Sequence, residues 1–171
     1  MNEALNNLLT RRSIRKYENK PVEKSDLDQI VECGKYAPTA MGKQSPRMVV
    51  VQKADMIKKL SKMNAAVWGK DVDPFYGATA LVIVFAEQGN PNSVQDASLV
   101  MGNLLNATHA LGLGSCWINR AKEMFAKADG AELLKEWGLE NYVGVGICAL
   151  GHISGEYPEP APRKNDYALY V

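Results

Sequence analysis

The chain has 171 residues, room for one domain with a sizeable core. Hydrophobic residues make up 46% and charged residues 23%, the composition of an ordinary soluble globular protein. Lys plus Arg total 20 and Asp plus Glu total 19, so the net charge of +1 argues against general nucleic-acid binding and gives no pull toward acidic membranes.

In chain order the pattern alternates helices and strands, with no internal repeat and no low-complexity segment. Residues 2–10 predict a short helix with Leu5, Leu8 and Leu9 on one face. This N-terminus has no basic start, so it does not read as a signal peptide. A basic stretch, Arg11 to Tyr17, follows, and Lys20-Pro21 marks extended chain. Ser25 is placed to cap a helix whose apolar positions are Leu27, Ile30, Val31, Gly34 and Ala37 and which ends before Pro38. Residues 47–53 (RMVVVQK) predict a strand, and residues 54–63 an amphipathic helix. The continuous apolar run 80–86 (ALVIVFA) predicts a strand buried on both faces. The longest helix spans 93–111 and ends at Gly112 and Gly114. A short strand over 115–118, helical patterns over 121–137 and a buried strand over 142–150 complete the set. The tail, 154–171, is rich in proline and polar residues and ends in Tyr167, Ala168, Leu169, Tyr170 and Val171. These β-formers either pack locally as a strand or add one to a partner's sheet.

No apolar run is long enough to span a bilayer. Cys33, Cys116 and Cys148 are odd in number, widely spaced and lie in apolar runs. They predict buried, inert thiols rather than a disulfide framework, a zinc site or a Cys–His nucleophile, and they fit a reducing cytoplasm.

Four segments could carry chemistry. Arg11, Arg12, Ser13 and Arg15 place three guanidiniums and a hydroxyl within five residues. Guanidinium forks match phosphate oxygens, although a charge run can equally be a solvated face. Arg163 joins Arg11 on one phosphate only if the tail folds back. Pro38-Thr39-Ala40-Met41-Gly42-Lys43-Gln44-Ser45-Pro46 is either a connector or a loop offering backbone donors and the Gln44 amide to a planar polar ligand. Gly112-Leu113-Gly114-Ser115-Cys116-Trp117-Ile118 lacks the third glycine of a dinucleotide fingerprint and follows a helix instead of a strand. It is a helix C-cap leading into a strand, or a backbone edge held beside a ligand. There is no HExxH, no GxSxG and no GxxxxGK[ST].

Taken together, these segments resemble the nitroreductase family of flavin mononucleotide (FMN) enzymes. Arg-Arg-Ser-Ile-Arg-Lys-Tyr at 11–17 resembles the family's R-[RH]-S-x-[RK]-x-[FY] motif, and Ala37–Gln44 its A-P-S-x-x-N-x-Q loop. Phe75–Ala78, Asp96, Asn103, Gly112–Ile118, Ala149-Leu150-Gly151 and Arg163 fit as well, so the likeness covers nearly the whole chain as one domain over 1–171. The resemblance implies an α+β fold with a mainly antiparallel sheet flanked by helices. It implies an interwoven homodimer with C-terminal tail exchange and FMN at the interface. Ping-pong transfer would run from NADH or NADPH through FMN to a nitroaromatic, quinone or similar acceptor. On this likeness Arg11 and Arg163 hold the phosphate, and Arg12 and Ser13 bind phosphate and ribityl oxygens. Arg15 sits at the pyrimidine edge, where a cation favours reduced flavin. Pro38, Thr39, Met41 and Gln44 come from the other subunit. Trp117, Ile118 and Asn119 line the flavin, with the Asn119 N–H beside N5. No side chain acts as a catalytic acid, since the flavin carries the chemistry.

The chain departs from the family where Gly42 replaces the usual Asn, Ser45-Pro46 the usual Pro-Trp, and Asn119-Arg120 the Glu-Gly of larger members. It is also shorter, which implies an open site. A non-catalytic flavin-storage protein remains an alternative, as do dehalogenation, enone reduction or flavin fragmentation on the same fold.

Overall fold

A computed structural model describes residues 2–171. The sheet has four strands, β1 (Arg47–Val51), β2 (Ala80–Glu87), β3 (Gly114–Ile118) and β4 (Tyr142–Gly151), in the order β1-β2-β4-β3. Every neighbouring pair is antiparallel. The helices are α1 (Glu3–Thr10), α2 (Lys24–Lys35), α3 (Ala54–Trp68), α4 (Ser93–Ala110), α5 (Ala121–Phe125) and α6 (Ala128–Glu136), with one 3₁₀ turn at Ala40–Gly42. The expected α+β architecture is therefore what the chain forms.

The two central strands explain the continuous apolar runs. Successive side chains of a strand point to opposite faces, so a strand covered on both sides must be apolar at every position. Leu81, Ile83 and Phe85 join Leu60, Met124 and Leu133 on the α3, α5 and α6 side. Val82 and Val84 join Ile30, Met101 and Leu104 on the α2 and α4 side. Each such fully buried side chain contributes about 1.5–3 kcal/mol over an exposed one.

The basic segment 11–17 runs along the outer edge of β3. Ser13 bridges Ser115 in parallel, and Tyr17 bridges Ile153 antiparallel. Ile14 N–H donates to Ser115 O at 2.9 Å, and Glu18 N–H to His152 O at 2.9 Å. Gly114 permits this approach: a Cβ there would lie 2.8 Å from Ile14. The buried Tyr17 hydroxyl sits 2.8 Å from Ile14 O and 3.0 Å from Ala149 O. Burial raises its pKa far above the ordinary phenol value, so the proton stays and can donate.

Several boundaries differ from the sequence expectation. Glu23, not Ser25, occupies the N-cap of α2, and no side chain caps the helix. The Lys24–Asp28 pair braces that first turn instead. α3 continues past Met63 to Trp68 and stops at Gly69 in the left-handed conformation. The 121–137 pattern breaks into two helices. Cys33 is exposed, contrary to the buried thiol expected, whereas Cys116 and Cys148 are buried. The tail forms no local strand: residues 155–171 carry no helix or strand and are exposed.

Candidate functional site

Arg11, Arg12, Ser13 and Arg15 lie on the segment pinned to β3, so the sheet edge fixes their backbone. The ion pairs found among the described residues, Lys24–Asp28 and Lys35–Glu32, are both on α2. The three guanidiniums therefore stand together with no carboxylate partner. Arg11 Nη1, Arg12 Nε and, on the adjoining strand, Ser115 Oγ are buried without a hydrogen-bond partner. Buried donors left unpaired each cost about 1–3 kcal/mol, so this cluster is built for an acceptor from outside the chain. The donor set fits the phosphate of FMN in both charge and hydrogen-bonding sense.

A second set of residues holds this segment in place. The Tyr157 hydroxyl accepts the Arg12 N–H at 3.0 Å and donates to Thr10 O at 3.0 Å. Thr10 Oγ1 lies 2.9 Å from His109 Nε2, and His109 Nδ1 lies 3.3 Å from the Tyr157 hydroxyl. The Tyr157 and His109 rings stack with centroids 5.9 Å apart. Burial first, then Arg11 and Arg12, lower the His109 pKa, so the ring is neutral near pH 7. Neither His109 nor Tyr157 stood out in the sequence as a site residue. They are 48 positions apart, and no local pattern signals their contact.

The exit of β3 forms the next part. Trp117 packs on the α2 and α4 side, where Gly146 makes room: a Cβ there would lie 2.7 Å from the indole. Trp117 Nε1 is buried and unpaired. Ile118 is buried in the core, so only its backbone is free to line a ligand. Asn119 is exposed. Its carbonyl accepts from Asn64 Nδ2 at 3.0 Å, a buried anchor on α3 that residue type alone did not reveal. Arg120 adopts φ 74°, ψ 9°.

The loop 38–44 is strained and exposed. Met41 has φ 55° and Gln44 φ 50°, conformations that L-residues adopt at a cost. Among the described residues four non-glycine positions have positive φ; two of them, Met41 and Gln44, are expected site residues, and a third, Arg120, directly follows Asn119. Asp96 at the start of α4 anchors the loop by accepting the Ala40 N–H at 3.0 Å. The segment bearing Arg11 is tied instead to the far end of α4, through Asn7 to Asn106 O and Thr10 to His109. His109 lies thirteen positions after Asp96 along α4, which is about 20 Å. Pro38, Thr39, Met41 and Gln44 are thus not brought together with Arg11 within one chain. Arg163 is not either: it lies in the exposed tail and donates to Ala161 O at 3.2 Å.

Cys116 and Cys148 offer no nucleophile. Burial pushes the Cys148 thiol up to about 12 and raises Cys116 despite the nearby Arg15. A hollow of about 400 Å³ lies between Ser13–Lys16 and the tail at Ser154–Glu156. A larger one, about 580 Å³, opens between Pro21, Gln52, Ile57 and Ala78 and holds none of the predicted site residues. Among the described residues no helix is long and apolar enough to cross a membrane.

Known proteins are similar to this chain in sequence and fold. A family model described as the nitroreductase family matches residues 8–152. A protein of Archaeoglobus fulgidus, provisionally named NADH dehydrogenase/NAD(P)H nitroreductase, is 30% identical over 163 residues, 91% of this chain and 88% of that one. The protein named FMN reductase [NAD(P)H] from Bacillus subtilis is 25% identical over 84% of this chain and 62% of its own length. The crystal structure of a nitroreductase with bound FMN from Bacteroides fragilis superposes with a TM-score of 0.92 over the whole of both chains at 27% identity.

Proposed function

The chain belongs to the nitroreductase family, and from that premise we propose that it is an FMN-dependent oxidoreductase acting as a homodimer. The observation that carries the reading is the unpaired cationic cluster of Arg11, Arg12 and Arg15 with its buried orphan donors. FMN held there would supply the redox chemistry of a ping-pong reaction between NADH or NADPH and a nitroaromatic, quinone or similar acceptor. The protein's part is to bind, orient and tune. Arg11, Arg12 and Ser13 would hold the phosphate end, with Arg163 joining them through an exchanged tail. Arg15 sets a positive charge beside the ring system and favours the electron-rich form. Trp117, the Ile118 backbone and Asn119 line the ring.

The remaining residues come from a second copy. Pro38, Thr39, Met41 and Gln44 lie at the opposite end of α4 from Arg11, so in this reading they complete the partner's site. An unpartnered apolar surface supports the dimer. Leu5, Leu8 and Leu9 on α1 are 51%, 58% and 62% exposed, and the tail residues Tyr167, Leu169, Tyr170 and Val171 are almost wholly so. Exchange of tails between copies would cover both. The three free thiols suit a reducing cytoplasm.

The test is an anaerobic visible spectrum of protein reconstituted with FMN and desalted, before and after NADH or NADPH. The expected result is a retained flavin band that bleaches. A band that stays unbleached would favour storage over turnover, and loss of the band on desalting would overturn the cofactor assignment.

A further inference from the structure

Arg120 occupies a place that disfavours it. Its φ of 74° lies in the left-handed region, where a side chain other than glycine or asparagine is uncommon. The surrounding structure holds it there from three sides. Wholly buried Asn64 accepts from Arg120 Nε at 3.0 Å while donating to Asn119 O. Trp68 follows Asn64 by one helical turn, which sets its indole under the guanidinium at 4.3 Å. Gly69 then stops α3 in the left-handed conformation, and Lys70 turns back so that its Nζ lies 4.6 Å from the same ring.

This is a pair of cations on one aromatic plate. Among the described residues neither is in an ion pair. Of the two acids on the following loop, Asp71 is exposed and in no ion pair, and Asp73 is already taken by Ser61 Oγ, the Phe75 N–H and the Gly77 N–H. Of the guanidinium only Nε is used, leaving its two terminal nitrogens as a free fork. A strained, braced and unneutralised arginine is costly to maintain for packing alone, since a glycine would fit the backbone better.

We infer that Arg120, which shares the Trp68 ring with Lys70, recognises an anionic group, carboxylate or phosphate, on the molecule that exchanges electrons at the proposed site. The inference rests on the reading above through Asn119, which is covalently joined to Arg120 and lines that site. An acceptor bearing a carboxylate and the phosphates of the nicotinamide donor share this chemistry.

The experiment is calorimetric titration of the oxidised, FMN-loaded protein with benzoate, neutral benzamide and ADP-ribose, for wild type, Arg120→Gly and Arg120→Lys. Glycine keeps the left-handed backbone and removes the cation together with its bond to Asn64 and its contact with Trp68, so the neutral benzamide arm reports any structural loss. We expect Arg120→Gly to weaken benzoate or ADP-ribose by about tenfold, with benzamide affinity and FMN retention unchanged and Arg120→Lys partly restored. Loss confined to benzoate assigns the anion to the acceptor, and loss confined to ADP-ribose assigns it to the donor. Unchanged anion binding, or no binding of either anion by wild type, would overturn the inference. So would equal weakening of benzoate and benzamide, which would make Arg120 structural. Failure of the wild type to retain FMN is a separate result that removes the underlying reading.

Discussion

The two halves of the candidate site are built in opposite ways. Residues 11–17 are pinned to the chain's own sheet by Ile14 N–H to Ser115 O and by the Tyr17–Ile153 bridge. The sheet edge holds their backbone, so the fold itself presents these arginines. The loop 38–44 and the tail are exposed instead, with Met41 80% and Tyr170 93% accessible. A segment rich in apolar side chains stays ordered in such a position only if something covers it. The contrast teaches that one half is finished by the fold, while the other is completed, on the proposed reading, by a second copy.

Breaking the second half should have the largest effect. Replacing Leu8 and Leu9 by Glu puts two charges on the unpartnered face of α1 without touching the core, because both are more than half exposed. We expect a folded monomer by light scattering that no longer retains FMN on desalting. Monomers that hold FMN as tightly as wild type would show that one chain suffices.

The first half can be tested one donor at a time. Arg11→Ala removes a guanidinium whose Nη1 is buried and unpaired, so no internal bond is lost. FMN affinity, read by fluorescence titration, should fall by about 1.5–3 kcal/mol, the worth of a hydrogen bond to a charged group. On the proposed reading Arg163→Ala should show a similar loss only in the dimer, where an exchanged tail would bring Arg163 to the phosphate. Unchanged affinity in both variants would remove the phosphate assignment.

Much of the first half was legible in the sequence. The apolar run 80–86 fixed a doubly covered strand, and Gly114 with Gly112 marked the end of α4 to within a residue. The basic segment was visible as a charge cluster, but its place on the β3 edge depends on pairings about a hundred residues distant. The braces were not legible. Asn64 and Trp68 both lie past Met63, where the helix was expected to end, so the missed last turns of α3 hid them, although Gly69 was a stop signal. Met41, Gln44 and Arg120 take positive φ without being Gly or Asn, so residue type gave no hint.

The smallest effect sharpens the comparison by coupling the finished half to its ligand. His109 has a pKa lowered from the ordinary 6.5 by burial first and by Arg11 and Arg12 next. As pH falls, the unfolded chain takes up the proton first. Stability should therefore decline from about the unfolded value downward and level off below the folded one. His109→Gln should flatten that part of the profile, measured as Tm by scanning calorimetry between about pH 7.5 and 5. An anion held by Arg11 and Arg12 offsets the second and third causes of the shift. The FMN-loaded protein should thus lose less Tm over this range than the emptied protein, and His109→Gln should abolish the difference. Equal losses in the loaded and emptied wild type would mean that the bound anion does not lie against these arginines.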